Sequence, residues 1–400
     1  MSADPMEVLA AAVRAGDAAG ARAALAAHPV LKNRLDEAMP GGSFGATALL
    51  TAVHQGDREM AELLLDAGAD IDARSHWWAG SFGVLDGESP LVPWLIERGA
   101  RVDAYAAARH GMLDRLSGLI EADPTRVGQR GGDGQTPLHV ARTVAIAAYL
   151  LDHGADIDAL DVDHESTPAM YLVSEHPDVA RFLVSRGCRT DILLASALGD
   201  LPAVRKHLEQ DPASIERSVS EEDFPKRNPR AGGTIYFWTL GYHKTPQMLA
   251  REFEHEEVFR YLMERTPALL KLALACEWGD VAEVERLLAE QPGLAGGLPD
   301  RMAKRLVSAA QNGNLAAVRL MLKAGWPVDT RGNDGGTAMH WAAFHGNAEM
   351  VREILRHRPD LTLRDPTYQG TALEWGRYGA ENSWKRESGN YAETIALLRE

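Results

Sequence analysis

Apolar and polar positions alternate at helical spacing in short stretches broken by turns, and the pattern is cleanest between Thr337 and Asp360. Thr337-Ala338-Met339-His340 opens a first helix, with Thr337 placed to cap free backbone N–H groups. Ala342 and Ala343 keep that helix thin, so a neighbour can approach closely. Gly346-Asn347 breaks the chain, because both residues tolerate a left-handed backbone. Met350, Val351, Ile354 and Leu355 then make one apolar face of a second helix. Two helices this short cannot bury that face alone. The pair needs copies of itself on either side.

The copies are present. Thr47-Ala48-Leu49, Ser89-Pro90-Leu91, Thr136-Pro137-Leu138-His139, Thr167-Pro168-Ala169, Thr245-Pro246-Gln247 and Thr371-Ala372-Leu373 open in the same way. Gly68-Ala69-Asp70, Gly99-Ala100 and Gly154-Ala155-Asp156 close units alike. Thr337 and Thr371 stand about 34 residues apart, against a family period of roughly 33. This resembles the ankyrin-repeat family, whose pattern is T-P-L-H-x-A, a Gly turn and a closing G-A-D. The likeness extends to a long array of bacterial type with aromatic insertions. It implies an all-α solenoid of about twelve helix-turn-helix units.

Two units read as truncated. Ser89-Pro90-Leu91 runs almost directly into Val92-Pro93-Trp94-Leu95-Ile96, and Thr136–Arg142 meets its second helix within a residue or two. Shortened units are expected to bend the stack and open a notch. Residues 5–30 lack a closing Gly-Ala-Asp and read as an N-terminal cap. The longest departure is 213–244, which carries the breakers Phe224-Pro225 and Asn228-Pro229. Within it Thr234–Trp238 has strand character and predicts at most a short hairpin. The expected organisation is therefore an array over 1–212, an inserted loop over 213–244 and a second array over 245–400. The last unit reads as holding its own inserted loop, Glu374–Arg386.

Composition changes little in this picture. A 400-residue chain exceeds one compact core, but a solenoid grows by stacking. The net charge of -15 argues against nucleic acid and anionic membrane as main partners. No apolar run reaches the roughly 18 residues a membrane helix needs. Asp4 and Glu7 precede the first apolar stretch, where a signal peptide wants a basic start, so a cytoplasmic protein is expected. Cys188 and Cys276 sit in different repeats and read as buried reduced thiols.

The candidate chemistry lies in the loops. In ankyrin proteins the inter-repeat loops project as fingers along one edge, and the first helices line a concave face. The finger His76-Trp77-Trp78 is aromatic, and large apolar area of that kind is rare without a partner. Asp161, Asp163, His164 and Glu165 make an acidic finger able to hold a proton donor, a base or a hard cation. The insertion adds Tyr236, Trp238, Tyr242, His243 and Lys244, the last placed to hold an anionic group. Trp341, Glu374, Trp375 and Trp384 add aromatic weight near the C-terminus. His139 and His340 stand at the family's motif histidine, which commonly hydrogen-bonds backbone between repeats. If the array curves enough, the fingers converge with His340 on one aromatic hollow. Asp163 and Glu165, with Asp161 and His164, are its acid–base candidates, since an apolar hollow raises a carboxyl pKa. No metal-ligand spacing, Gly-rich phosphate loop or nucleophile triad is identifiable, and no cofactor is expected. Two function classes follow. The first is a scaffold that binds a protein partner on its concave face and fingers. The alternative is an enzyme or small-molecule binder using the hollow.

Overall fold

A computed structural model describes residues 4–399. The chain divides into two compact units, one ending at Val258 and the other starting at Phe259. Helix pairs fall where the repeats were expected. In the first unit Ala48–His54 pairs with Arg58–Asp66, Ala104–Arg109 with Leu113–Ala122, and Ile192–Leu198 with Leu201–Gln210. In the second, Ala268–Trp278 pairs with Val281–Glu290, Ala338–Phe344 with Ala348–Leu355, and Ala372–Asn382 with Tyr391–Leu397.

Local chemistry explains the boundaries. Thr47 caps its helix by accepting from the Leu50 N–H at 3.2 Å, and Asp57 does the same for Met60 at 2.9 Å. The second helices bury one stripe each. Met60, Ala61 and Leu64 are buried in one, and Met350, Val351 and Ile354 in another. The first helices are alanine-rich and buried nearly all round, as Ala104–Ala108 shows. That small cross-section lets repeats stack. Both cysteines are buried free thiols, and burial pushes each up to about 12.

Both truncations are real. The third repeat has a turn at Ser89–Leu91 in place of a first helix, followed directly by Val92–Glu97. The fifth has only the 3-10 turn Pro137–Val140 before the helix Val144–Asp152. Each leaves a gap. A cavity of about 560 Å³ lies between Leu50 and His54 of the second repeat and Tyr105 and Arg109 of the fourth. One of about 270 Å³ lies beside His139, between Arg109 and Tyr171.

Two expectations are corrected. Thr234–Trp238 forms no hairpin; Tyr236–Thr239 is a single helical turn, and no β-strand exists among the described residues beyond two isolated bridges. The turn wins because it buries Tyr236 and Phe237 together. It also lets the Tyr236 hydroxyl donate to Asp191 Oδ2 at 3.0 Å. The supposed loop Glu374–Arg386 is helical as far as Asn382. Its glycines serve close packing rather than a turn. A Cβ on Gly379 would lie 2.1 Å from the Phe344 carbonyl oxygen, and Gly376 faces Ala343.

Candidate functional site

The candidate residues gather into two clusters, one inside each unit. In the first unit three loops meet. The aromatic finger supplies Trp77, whose indole N–H donates to Asp133 Oδ1 at 2.9 Å. Trp77 packs edge-on against Phe44, and the Arg230 guanidinium lies 4.5 Å over the Trp78 ring. His76 is exposed, with its ring nitrogen 3.3 Å from the Asp36 carbonyl.

The acidic finger is folded by its own side chains. Asp161 accepts the backbone N–H groups of His164 and Ser166 at 2.7 Å each, and the Tyr171 hydroxyl at 2.9 Å. Burial holds its carboxyl above the usual range despite those bonds. Glu165 has a left-handed backbone, φ 48°, and its carboxylate accepts from the N–H groups of Arg227 and Asn228. Asp161 and Glu165 therefore shape the finger and tie it to the insertion. Asp163 and His164 turn to its interior. His164 Nε2 stands 3.6 Å from Asp163 Oδ2 and 3.9 Å from Asp133 Oδ2. Its Nδ1 is 2.9 Å from the Gly233 carbonyl of the insertion, and the Trp238 ring lies 4.7 Å away. Burial raises the Asp133 carboxyl to about 6, with His164 pulling it down and Asp163 pushing it up.

The rest of the insertion divides between core and surface. Tyr236 is in the core, and Tyr242 is exposed and stacked on Phe237 at 4.2 Å. His243 has a left-handed backbone whose N–H donates to the Val219 carbonyl. Lys244 is paired with Glu252 at 2.5 Å, so its charge is already met.

The second cluster is aromatic. Trp341 and Phe344 lie on one first helix, and Trp375 and Tyr378 on the next. The Trp341 and Trp375 rings are 5.4 Å apart and nearly perpendicular. Trp384 closes the group, 5.4 Å from Phe344 and 4.9 Å from His345. Trp341, Phe344, Trp375 and Tyr378 border a cavity of about 590 Å³, with Tyr368 also in its lining. Trp384 is 65% exposed and Tyr378 62%. Glu374 caps its own helix through the Thr371 N–H and pairs with Arg364, so it is held as a structural carboxylate below its usual pKa by those hydrogen bonds. His340 joins Thr337 to the Gly370 carbonyl of the next repeat, and burial lowers its pKa.

Asp133 was missed by sequence reasoning, as were Phe44, Phe344 and Tyr378. The signal for Asp133 was its place in Gly131-Gly132-Asp133-Gly134, a finger tip one repeat before Asp163. Residues one repeat apart stack, and the Asp133 carbonyl accepts from the N–H groups of both Val162 and Asp163.

The arrangement is a stack of short helix pairs with its polar chemistry on loop tips. Ankyrin-repeat profiles match residues 104–194 and 272–365 as groups of three copies, and residues 44–76 as a single repeat, together more than half of the chain. The protein belongs to the ankyrin-repeat family. Ankyrin repeats are protein-interaction modules, and this membership favours a protein-binding role over a catalytic one. The chain is 24% identical over 379 residues to the ankyrin repeat protein nuc-2 of Neurospora crassa, covering 86% of this chain and 28% of that one. It is 24% identical over 337 residues to the human transient receptor potential cation channel subfamily A member 1, covering 78% and 26%. Over 89 residues it is 30% identical to the palmitoyltransferase Hip14 of Drosophila melanogaster, covering 22% and 14%. The chain thus spans under a third of each of these relatives. All three are eukaryotic and say nothing for the bacterial type. No helix among the described residues is long and apolar enough to cross a membrane.

Proposed function

We propose that the aromatic face of the second unit is the protein-recognition surface of this chain, and that it takes a partner segment carrying an apolar or aromatic anchor. The observation that carries the reading is the exposure of Tyr378 over a cavity of about 590 Å³, with the exposed Trp384 packed against Trp341 and Phe344 of the same cluster. Exposed aromatic area of this kind marks binding sites, and aromatic anchors dominate interface energetics. The cluster stands on the first helices of consecutive repeats, the side that family members use for recognition. The reduced thiols Cys188 and Cys276 support a reducing compartment, the cytoplasm, as the setting.

Peptides selected by display on the full chain test the surface. Selected peptides are expected to share an apolar or aromatic anchor and to bind the double variant Trp384→Ala/Tyr378→Ala at least about tenfold more weakly, a loss of about 1.4 kcal/mol. The same peptides should bind Trp238→Ala as they bind the wild type. The opposite pattern would move the recognition surface to the fingers of the first unit.

A further inference from the structure

The meeting point of three loops in the first unit has a property that protein recognition does not explain. One ligand-type atom from each of Asp133, Asp163 and His164 lies within 4.8 Å of the others. In each side chain the outward atom is engaged and the inward atom is not. Asp133 Oδ1 accepts from Trp77 at 2.9 Å, leaving Oδ2 inward. Asp163 Oδ1 accepts from the Gly232 N–H at 3.3 Å, leaving Oδ2 inward. His164 Nδ1 donates toward the Gly233 carbonyl at 2.9 Å, which turns Nε2 inward. Asp163 is only 5% exposed, yet no hydrogen bond reaches its Oδ2 among the described residues.

Two carboxylate oxygens and a ring nitrogen held this close and largely out of water favour a positive charge between them. A proton on Nε2 supplies that charge only through space. At 3.6 and 3.9 Å neither carboxylate is within hydrogen-bond range of that nitrogen. A metal ion is well placed, because it bonds all three atoms at about 2.0–2.2 Å, with a closure of well under about 1 Å on each side. The outer partners on Asp133, Asp163 and His164 are the kind that orient metal ligands. An imidazole with two carboxylates suits the borderline divalent ions, whereas magnesium and calcium prefer oxygen alone.

We propose that Asp133, Asp163 and His164 form a binding site for a borderline divalent transition-metal ion of the zinc class. The ion bonds Oδ2 of each aspartate and Nε2 of the histidine. It cross-links the loops at 131–134 and 161–165, and through Gly232 and Gly233 it fixes the insertion. Trp77 is a positioning residue that acts through Asp133.

The test uses the full chain, stripped with a chelator and dialysed against Zn²⁺ or Co²⁺. The expected result is one ion per chain, a rise in thermal midpoint, and a visible Co²⁺ absorption band. Asp163→Asn and His164→Gln should each abolish the stoichiometric ion and the band while helical circular dichroism is unchanged. Trp77→Phe should retain the band but weaken binding roughly tenfold or more. The proposal is overturned if no stoichiometric ion binds. It is equally overturned if binding survives both ligand substitutions, which would reveal adventitious histidine sites. Equal competition by Ca²⁺ or Mg²⁺ would overturn the metal class. Should either ligand variant fail to fold, the Trp77→Phe shift and the Ca²⁺ competition still decide.

Discussion

The stretches 130–171 and 331–375 hold the same framework in different units and end in different chemistry. Arg130 donates to the carbonyls of Gly134 and Leu160, and Arg331 to those of Gly335 and Arg364. His139 reaches the Ser166 carbonyl at 3.1 Å, and His340 the Gly370 carbonyl at 3.2 Å. Asp161 accepts two backbone N–H groups and the Tyr171 hydroxyl, while Asp365 accepts three and the Trp375 indole N–H. Even the left-handed residue recurs, as Glu165 and Gln369. Between these fixed points one finger reads Val162-Asp163-His164 and the other Pro366-Thr367-Tyr368. The framework residues recur because the repeat geometry needs them. The finger tips differ because the geometry leaves them free.

If the framework is shared, equivalent core substitutions should cost alike in both units. Leu64 and Ile354 hold the same place in their second helices, and both are fully buried. Leu64→Ala and Ile354→Ala should each lose about 2–5 kcal/mol in urea unfolding, the usual cost of a buried large-to-small change. A cost below about 0.5 kcal/mol at either site breaks the equivalence.

The motif histidines should differ in degree. Burial pushes His139 down to about 3 and lowers His340 as well. An unfolded histidine takes its proton near pH 6.5, and these do so only at lower pH. In between, the unfolded chain binds more protons, so stability falls as pH drops from about 6.5 toward the folded values. Unfolding free energy measured from pH 7 to 4.5 should fall, and His139→Gln should flatten that slope more than His340→Gln. An unchanged slope in His139→Gln would show that the residue titrates normally.

Neutralising the fixed aspartate of the second unit tests its hydrogen bonds alone. Asp365→Asn should cost about 1–3 kcal/mol, because a fully buried acceptor of several N–H groups loses its charge. The smallest effect belongs to Tyr171→Phe, which removes one hydroxyl from Asp161 and should cost about 0.5–1.5 kcal/mol. A null result there would mean that water replaces the hydroxyl without loss.

The repeat was legible because it is a local code. Thr337 with His340, Gly346-Asn347 and the Met350–Ile354 stripe each dictate a turn or a face, and all three hold. Gly376 and Gly379 misled because glycine permits both a turn and a close helix contact, and only the neighbouring Phe344 backbone settles which. Thr234–Trp238 misled for a related reason. Its β-branched and aromatic residues suit a strand, but Tyr236 has its hydroxyl partner, Asp191, in a repeat far back along the chain. The grouping of the candidate residues was not legible. Asp133 meets His164 because of how repeats stack, and no spacing within either loop encodes that meeting.

The truncated repeats carry a consequence for how the first unit comes apart. In a linear array each repeat is held by its two neighbours, so the whole behaves like a row of coupled switches. A repeat without a first helix offers its neighbours half a contact face, and the coupling across it weakens. The turns at Ser89–Leu91 and Pro137–Val140 are therefore the places where a break in cooperativity is expected. Amides on the two sides of each joint should exchange hydrogen at separate rates, as distinct cooperative blocks within one continuous fold.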